Sequence, residues 1–256
     1  MFSCFDVLMR IMREITLKDL LEAGCHFGHK SSRWHPKMEP YLYGTKDNVH
    51  IFDLVKTKKA LEEVTAFAKA TAAEGRQIIF IGTKRLAQKI IKEAAEKAKM
   101  PYVAERWLGG TLTNWKTIKR NNIEKLRKLK EDKKTGQWDD LTKKEKILLE
   151  RGIAKLERMV GGLVEVEKLP AAIFVVDARN EQLAIREAAK KGIKVIAMVD
   201  SNSSPDKIDF VIPANDDATG SIEYVAGVMV EAISEGKKSQ EGKKAKTTKG
   251  NGKPKA

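Results

Sequence analysis

Pro170-Ala171-Ala172-Ile173-Phe174-Val175-Val176-Asp177 and Lys194-Val195-Ile196-Ala197-Met198-Val199-Asp200, with a helical stretch over 181–191 between them, decide the fold. Each run is apolar at nearly every position rather than at alternate ones, as expected of a strand covered on both faces. The stretch between them closes at Gly192, so strand, helix and strand form one parallel βαβ unit. The same cadence extends outward. Residues 77–81 predict a short strand turned by Gly82, 85–99 a helix, 102–105 a brief strand, 208–212 another strand and 219–234 a last helix. Upstream, Thr16 caps a short helix stopped by Gly24, Val49-His50-Ile51-Phe52 reads as a strand, and 54–73 is a long amphipathic helix ended by Gly75. The predicted class is α/β, a parallel sheet with helices on both faces.

One segment breaks the alternation. Residues 113–160 contain two helical stretches separated by 131–140, with Thr135-Gly136 at the turn. In the second stretch Leu149, Ile153, Leu156 and Val160 step by 4, 3 and 4, a coiled-coil seam. The first is less regular, with Trp115, Ile118, Leu126 and Leu129 on its apolar side and Asn122 in the seam. Two antiparallel helices of about 18 residues would reach roughly 27 Å from the body. The expected organisation is an N-terminal extension (1–14), an α/β body (15–112 and 161–236), an inserted coiled-coil helical hairpin (113–160) and a disordered basic tail (237–256). The tail has no apolar side chain larger than alanine and cannot repay its ordering entropy.

Charge follows these divisions. The 256 residues carry 49 Lys and Arg against 35 Asp and Glu, a net of +14. The tail holds eight lysines and one acid, and the hairpin fifteen basic and eight acidic residues, +7 in each. The remainder is neutral but polarised, +6 over 1–112 and −6 over 161–236. This predicts that the N-terminal half, hairpin and tail face an anionic polymer, with the acidic half left for protein partners or solvent.

Other classes are poorly supported. Cys4 and Cys25 form no paired motif, so neither a disulfide framework nor a cysteine zinc knuckle is available, and a reducing, cytoplasmic setting fits. No apolar run approaches the ~18 residues of a membrane span. The apolar opening 1–12 lacks the basic region and cleavage site of a leader, and Met12 is an alternative start. Ile81-Gly82-Thr83-Lys84 resembles the strand-to-helix turn that binds phosphate, but one glycine makes no Gly-x-Gly-x-x-Gly and no Gly-Lys-Ser/Thr follows. His26 and His29 could bind a metal with Asp200, Asp206 or Asp209, or Cys25 could act as a nucleophile; structural histidines in a tight turn are the other reading. Asp177 and Asp200 end consecutive strands, where enzymes keep catalytic groups and where helix caps are also common. No catalytic residues, cofactor or metal are assigned.

Nucleic-acid binding has more support, because cations on a protruding hairpin neutralise phosphates without reading bases. Two clusters add planar rings: Lys30-Ser31-Ser32-Arg33-Trp34-His35-Pro36-Lys37, and Arg106-Trp107-Leu108-Gly109-Gly110-Thr111-Leu112-Thr113-Asn114-Trp115-Lys116 at the hairpin's root. Trp107 reads better as an anchor of the hairpin than as a stacking platform.

These stretches, together with Gly24-Cys25-His26-Phe27-Gly28-His29, Asp47-Asn48-Val49-His50-Ile51, Gly82-Thr83-Lys84-Arg85 and Ile212-Pro213-Ala214-Asn215-Asp216-Asp217-Ala218, resemble the bacterial small-subunit ribosomal protein two family. The likeness runs in order from about residue 15 to 236. It implies a flavodoxin-like sheet with a coiled-coil insertion and a structural role in the small ribosomal subunit. It also implies contact with small-subunit rRNA and neighbouring ribosomal proteins and, in many bacteria, docking of ribosomal protein one. By position its RNA-facing residues would be Lys30, Arg33, Trp34, Lys37, Lys84, Arg85, Arg106, Asn114, Lys116, Lys119 and Arg120. The alternative is a stand-alone nucleotide- or phosphosugar-binding enzyme with an RNA-binding arm.

Overall fold

The computed structural model describes residues 14–250. Five parallel strands, β4 (Ile78–Ile81), β5 (Tyr102–Val103), β6 (Ala172–Val176), β7 (Lys194–Val199) and β8 (Phe210–Pro213), form one sheet in the order β5-β4-β6-β7-β8. Counted along these strands alone the order is 2-1-3-4-5, so the winding reverses between β4 and β6. Their carboxyl ends there open the crevice where α/β sheets bind ligands.

Strand side chains alternate between two cores, which is why the runs must be apolar throughout. Phe80, Phe174 and Met198 point toward helices α2 (Leu54–Ala73), α3 (Arg85–Ala98) and α8 (Thr219–Gly250). Ile81, Val175 and Ala197 point the other way, toward α7 (Gln182–Lys191) and the root of the insertion. The first helix, α1 (Leu17–Glu22), starts as the sequence predicts, with Thr16 Oγ1 accepting the Asp19 N–H at 3.1 Å.

A second sheet was not predicted in full. Strands β1 (Phe27–Lys30), β2 (Leu42–Lys46) and β3 (Val49–Phe52) pair antiparallel in the order β1-β3-β2, and only β3 stands out in the sequence. Gly28 and Gly44 interrupt the other two, and both pairings shift register, so their side chains lack a two-residue period. The β2–β3 turn is Asp47-Asn48, both at positive φ (50° and 62°), as a two-residue hairpin requires. Gly28 is needed where this sheet meets the larger one: a Cβ there would lie 2.9 Å from Ser201 Oγ and 3.2 Å from the His50 carbonyl.

The insertion begins with α4 (Trp115–Ile118), widens into a π-helical stretch (Lys119–Glu124) and continues as α5 (Lys125–Lys134); α6 (Lys143–Val160) returns. The π stretch explains the irregular first seam. It steps from Ile118 to Ile123 by five residues, placing Ile123 and Leu126 inside while Asn122 stays partly exposed. Lys130–Glu157 (2.6 Å) and Lys133–Glu150 (2.7 Å) bridge α5 and α6, and Thr142 and Glu145 cap each other at the start of α6. Ile123, Leu126 and Val160 belong to the same core as Val175, so packing crosses the expected boundary at 113 and 160. The root of the insertion thus forms part of the body's core.

Helix α8 runs on from the body past Gly236 to Gly250. Lys, Ala, Gln and Glu are good helix formers, and extending a docked helix requires no new nucleus. Gly236 lies so close to the Lys69 carbonyl that a Cβ would overlap it, and the Lys237 ammonium donates to the carbonyls of Ala98 (2.8 Å) and Lys99 (3.0 Å). The rest of the tail, 251–256, and nearly all of the N-terminal extension lie outside the described residues.

Candidate nucleic-acid interface

The crevice at the sheet's carboxyl end is filled by the protein's own charges. Lys84, at the end of β4, places its ammonium 2.5 Å from Asp217, 2.8 Å from Asp216 and 3.9 Å from Asp177. His29 of β1 bonds Asp200 through Nδ1 and Asp217 through Nε2, each at 3.1 Å. Asp200 also accepts from Ser201 N–H (2.5 Å) and Ser201 Oγ (3.1 Å); Ser201 Oγ in turn accepts the His29 N–H at 2.8 Å. This chain of bonds joins the small sheet to the large one.

Burial, with Asp200 and Asp177 nearby, pushes Asp216 up to about 7 against the opposing pull of Lys84. The bond to Asp200 raises His29 above its usual range despite partial burial. For Lys84, burial disfavours the charge, but Asp216 and Asp217 outweigh it and hold the ammonium charged. Glu181 is raised by burial, opposed by bonds from Thr83. A phosphate entering here would meet Asp177, Asp200, Asp216 and Asp217 around one lysine that they already neutralise. The geometry therefore disfavours the nucleotide-binding alternative.

The metal and nucleophile readings of 25–29 are resolved in part. His29, Asp200 and Asp217 do lie together, with ligand-type atoms within 4.8 Å of one another. Asp206 and Asp209 do not join them, because they pair with Lys37 and Lys194. Cys25 is fully buried and burial pushes its thiol up to about 11, so it is no nucleophile near neutral pH. Asp177 is a turn former at φ 68°, accepting the N–H groups of Arg179 and Asn180 at 3.1 Å.

The candidate RNA-facing residues fall into separate groups. Lys30, Arg33, Trp34 and Lys37 are exposed around a short 3₁₀ turn (Ser31–Arg33) and its continuation. Trp34 lies with its ring centroid 5.4 Å from that of His50, and Lys37 pairs with the exposed Asp206. Arg85 is exposed at the start of α3, whereas its neighbour Lys84 is turned into the aspartate cluster. Arg106, Asn114, Lys116 and Arg120 are exposed where the chain leaves β5 for α4 and the π-helical stretch, with Lys119 partly so. Among the described residues Arg85, Arg106, Lys116 and Lys119 make no ion pair.

The root is held by a residue that the sequence reading missed. Glu187 of α7 is buried and accepts five hydrogen bonds: Gly110 N–H (2.7 Å), Leu112 N–H (3.0 Å), Thr113 N–H (3.2 Å), Thr113 Oγ1 (3.3 Å) and the Trp107 indole N–H (3.3 Å). Burial would raise its carboxyl, but the backbone and indole donors outweigh burial and hold it below the usual range. Trp107, 5% exposed, is the expected anchor. A signal was present, since Ala184, Glu187 and Ala188 share the helix face that packs on the sheet and a carboxylate there needs partners.

The family model described as "Ribosomal protein S2" matches residues 20–236. The chain belongs to the ribosomal protein S2 family. Small ribosomal subunit protein uS2 of a Nitratiruptor species is 48% identical over 227 residues, 89% of this chain and 85% of that protein. Its namesake in Hahella chejuensis is 47% identical over 231 residues, 90% and 91% of the two chains. As a member of the S2 family the chain is a structural ribosomal protein and not an enzyme. The filled crevice agrees with that. No helix among the described residues is long and apolar enough to cross a membrane.

Proposed function

We propose that the chain is a cytoplasmic, rRNA-binding component of the small ribosomal subunit that also contacts neighbouring ribosomal proteins. The observation that carries the reading is the set of exposed cations without a carboxylate partner, Arg106, Lys116 and Arg120, which flank the 107–113 loop that Glu187 holds. Arg85 and the Lys30, Arg33, Trp34 and Lys37 loop extend the surface, with Asn114 donating or accepting beside it. Lys84 acts indirectly, by fixing the sheet end. The strand order supports a flavodoxin-like body, and the α5–α6 ion pairs support an inserted coiled-coil hairpin. Lysines beyond 236 add affinity without sequence preference. Docking of ribosomal protein one rests on the family resemblance alone.

Sedimentation through sucrose at moderate salt tests the reading: the chain should travel with the small subunit, and remaining at the top of the gradient while other ribosomal proteins travel would refute it. Binding to small-subunit rRNA should weaken steeply with salt, and Arg106→Ala with Arg120→Ala should lower the log–log salt slope by about 2, roughly 1 per phosphate contact removed.

A further inference from the structure

Helix α6 carries two faces. Ile153, Leu156 and Val160 turn toward α5 and the body. On the opposite side, nearer the hairpin's tip, Ile147 (40% exposed) and Leu148 (57% exposed) stand in water with Lys143, Lys144 and Arg151 around them, lining a shallow groove of about 470 Å³. The acids of this part of the helix point elsewhere: Glu145 closes the cap on Thr142, and Glu150 pairs with Lys133 of α5. The free face is therefore apolar at its centre and cationic at its rim.

Gly152 follows Leu148 by one helical turn and so shares its face. A Cβ at Gly152 would meet nothing within 4 Å, and the residue sits inside a regular helix without positive φ. Neither packing within the chain nor backbone conformation calls for glycine, which weakens a helix interior relative to alanine. A bare patch of backbone beside two exposed branched side chains fits the close approach of another element.

We infer that this face of α6 docks an acidic amphipathic helix of a neighbouring small-subunit protein, its apolar residues seated on Ile147, Leu148 and the Gly152 backbone and its carboxylates on Lys143, Lys144 and Arg151. The inference rests on the ribosomal reading above. RNA fits the face less well, since phosphates gain nothing from aliphatic side chains and no aromatic ring is there to stack a base.

The test places the photo-crosslinker p-benzoylphenylalanine at Leu148 in the full-length chain and irradiates purified small subunits, with Lys89, on the exposed face of α3, as the control position. A nuclease-resistant, protease-sensitive adduct from position 148, mapping to a segment with acids flanking apolar residues, is expected. An adduct only to rRNA, or none from a chain that has entered the subunit, overturns the inference. Failure to enter the subunit refutes the ribosomal reading instead, and a second measurement still decides the docking face. An 18-residue helical peptide with leucines along one face and glutamates beside them is titrated against the isolated protein by fluorescence anisotropy. Leu148→Asp and Gly152→Leu should each weaken binding about tenfold, as loss of a central anchor does, while circular dichroism shows an intact helix. Unchanged binding, or equal displacement by polyuridine, overturns it.

Discussion

Replacing Glu187 by alanine removes one acceptor from five donors at once, and the structure sets the scale of the loss. Two of those donors, the Trp107 indole N–H and the Leu112 N–H, are buried with their bonds; the three from Gly110 and Thr113 lie nearer solvent, where water can replace the carboxylate. An unmade buried hydrogen bond costs about 1–3 kcal/mol. The two buried donors alone therefore predict a loss of about 2–6 kcal/mol in Glu187→Ala, a large share of a domain's total stability. Glu187→Gln keeps an acceptor but turns an amide N–H₂ toward the Leu112 and Thr113 N–H groups, and should fall between, at about 2 kcal/mol.

Urea unfolding followed by tryptophan fluorescence measures the global effect, and amide exchange at 107–113 localises it. Protection there should drop before protection in β6 does. The acid limb gives a further check. Because the folded carboxyl of Glu187 is held below its ordinary value, its contribution is complete above the unfolded pKa and is lost as pH falls through the folded one. Glu187→Gln should remove that part of the acid dependence. A Glu187→Ala protein within about 1 kcal/mol of the parent, with 107–113 equally protected, would refute the claim that this carboxylate holds the root.

Three other outcomes follow from the same geometry. Asp216 and His29 have folded pKa values raised above their unfolded ones, so both stabilise the fold at low pH and lose that contribution as pH rises. A group with a folded pKa near 7 should lose about 1.4 kcal/mol between pH 6 and 8, and Asp216→Asn should flatten the urea midpoint across that window. Ile123→Ala should cost about 2–5 kcal/mol as a cavity in the second core, whereas Leu148→Ala, exposed on the same insertion, should stay within about 0.5 kcal/mol by the same unfolding assay. Gly162→Ala should destabilise by about 1–3 kcal/mol or more, because a Cβ there overlaps the Tyr102 carbonyl and ring where the insertion rejoins β5; a melting temperature equal to the parent's would contradict it.

The parallel sheet was readable because one physical constraint acts on every position of β4, β6 and β7: with helices on both faces, each side chain must be apolar. Helix ends were readable wherever a single residue makes the cap, as at Thr16, Gly75 and Gly192, the two glycines both at positive φ. The small antiparallel sheet was not, because β1 is chosen for closeness to Ser201 rather than for burial of alternate side chains. The hairpin's first helix was misread in phase because a π stretch adds a residue to a turn, and no local preference marks where that happens. The exposed cations of the site were legible as charge. Which cations remain free was not, since Lys84 and Arg85 are neighbours in sequence and only the positions of Asp216 and Asp217, more than a hundred residues on, separate their roles.

The same point changes the meaning of the charge distribution. Read along the chain, residues 161–236 carry −6 and look like a surface left for partners. In the fold, Asp177, Glu181, Glu187, Asp200 and Asp216 are all buried, and they neutralise Lys84, bond His29 and Thr83, and hold the 107–113 loop. With those five inside, the other eight acids of the segment face seven basic residues, close to neutral. The negative charge of the C-terminal half is thus internal, and its effect is to clamp the N-terminal sheet and the hairpin's root onto the sheet edge. Some cations elsewhere are paired, as Lys37 is with Asp206, but among the described residues the exposed Arg85, Arg106 and Lys116 make no ion pair. The outer surface is therefore more cationic than the sequence total implies, which is the character the proposed rRNA contact would need.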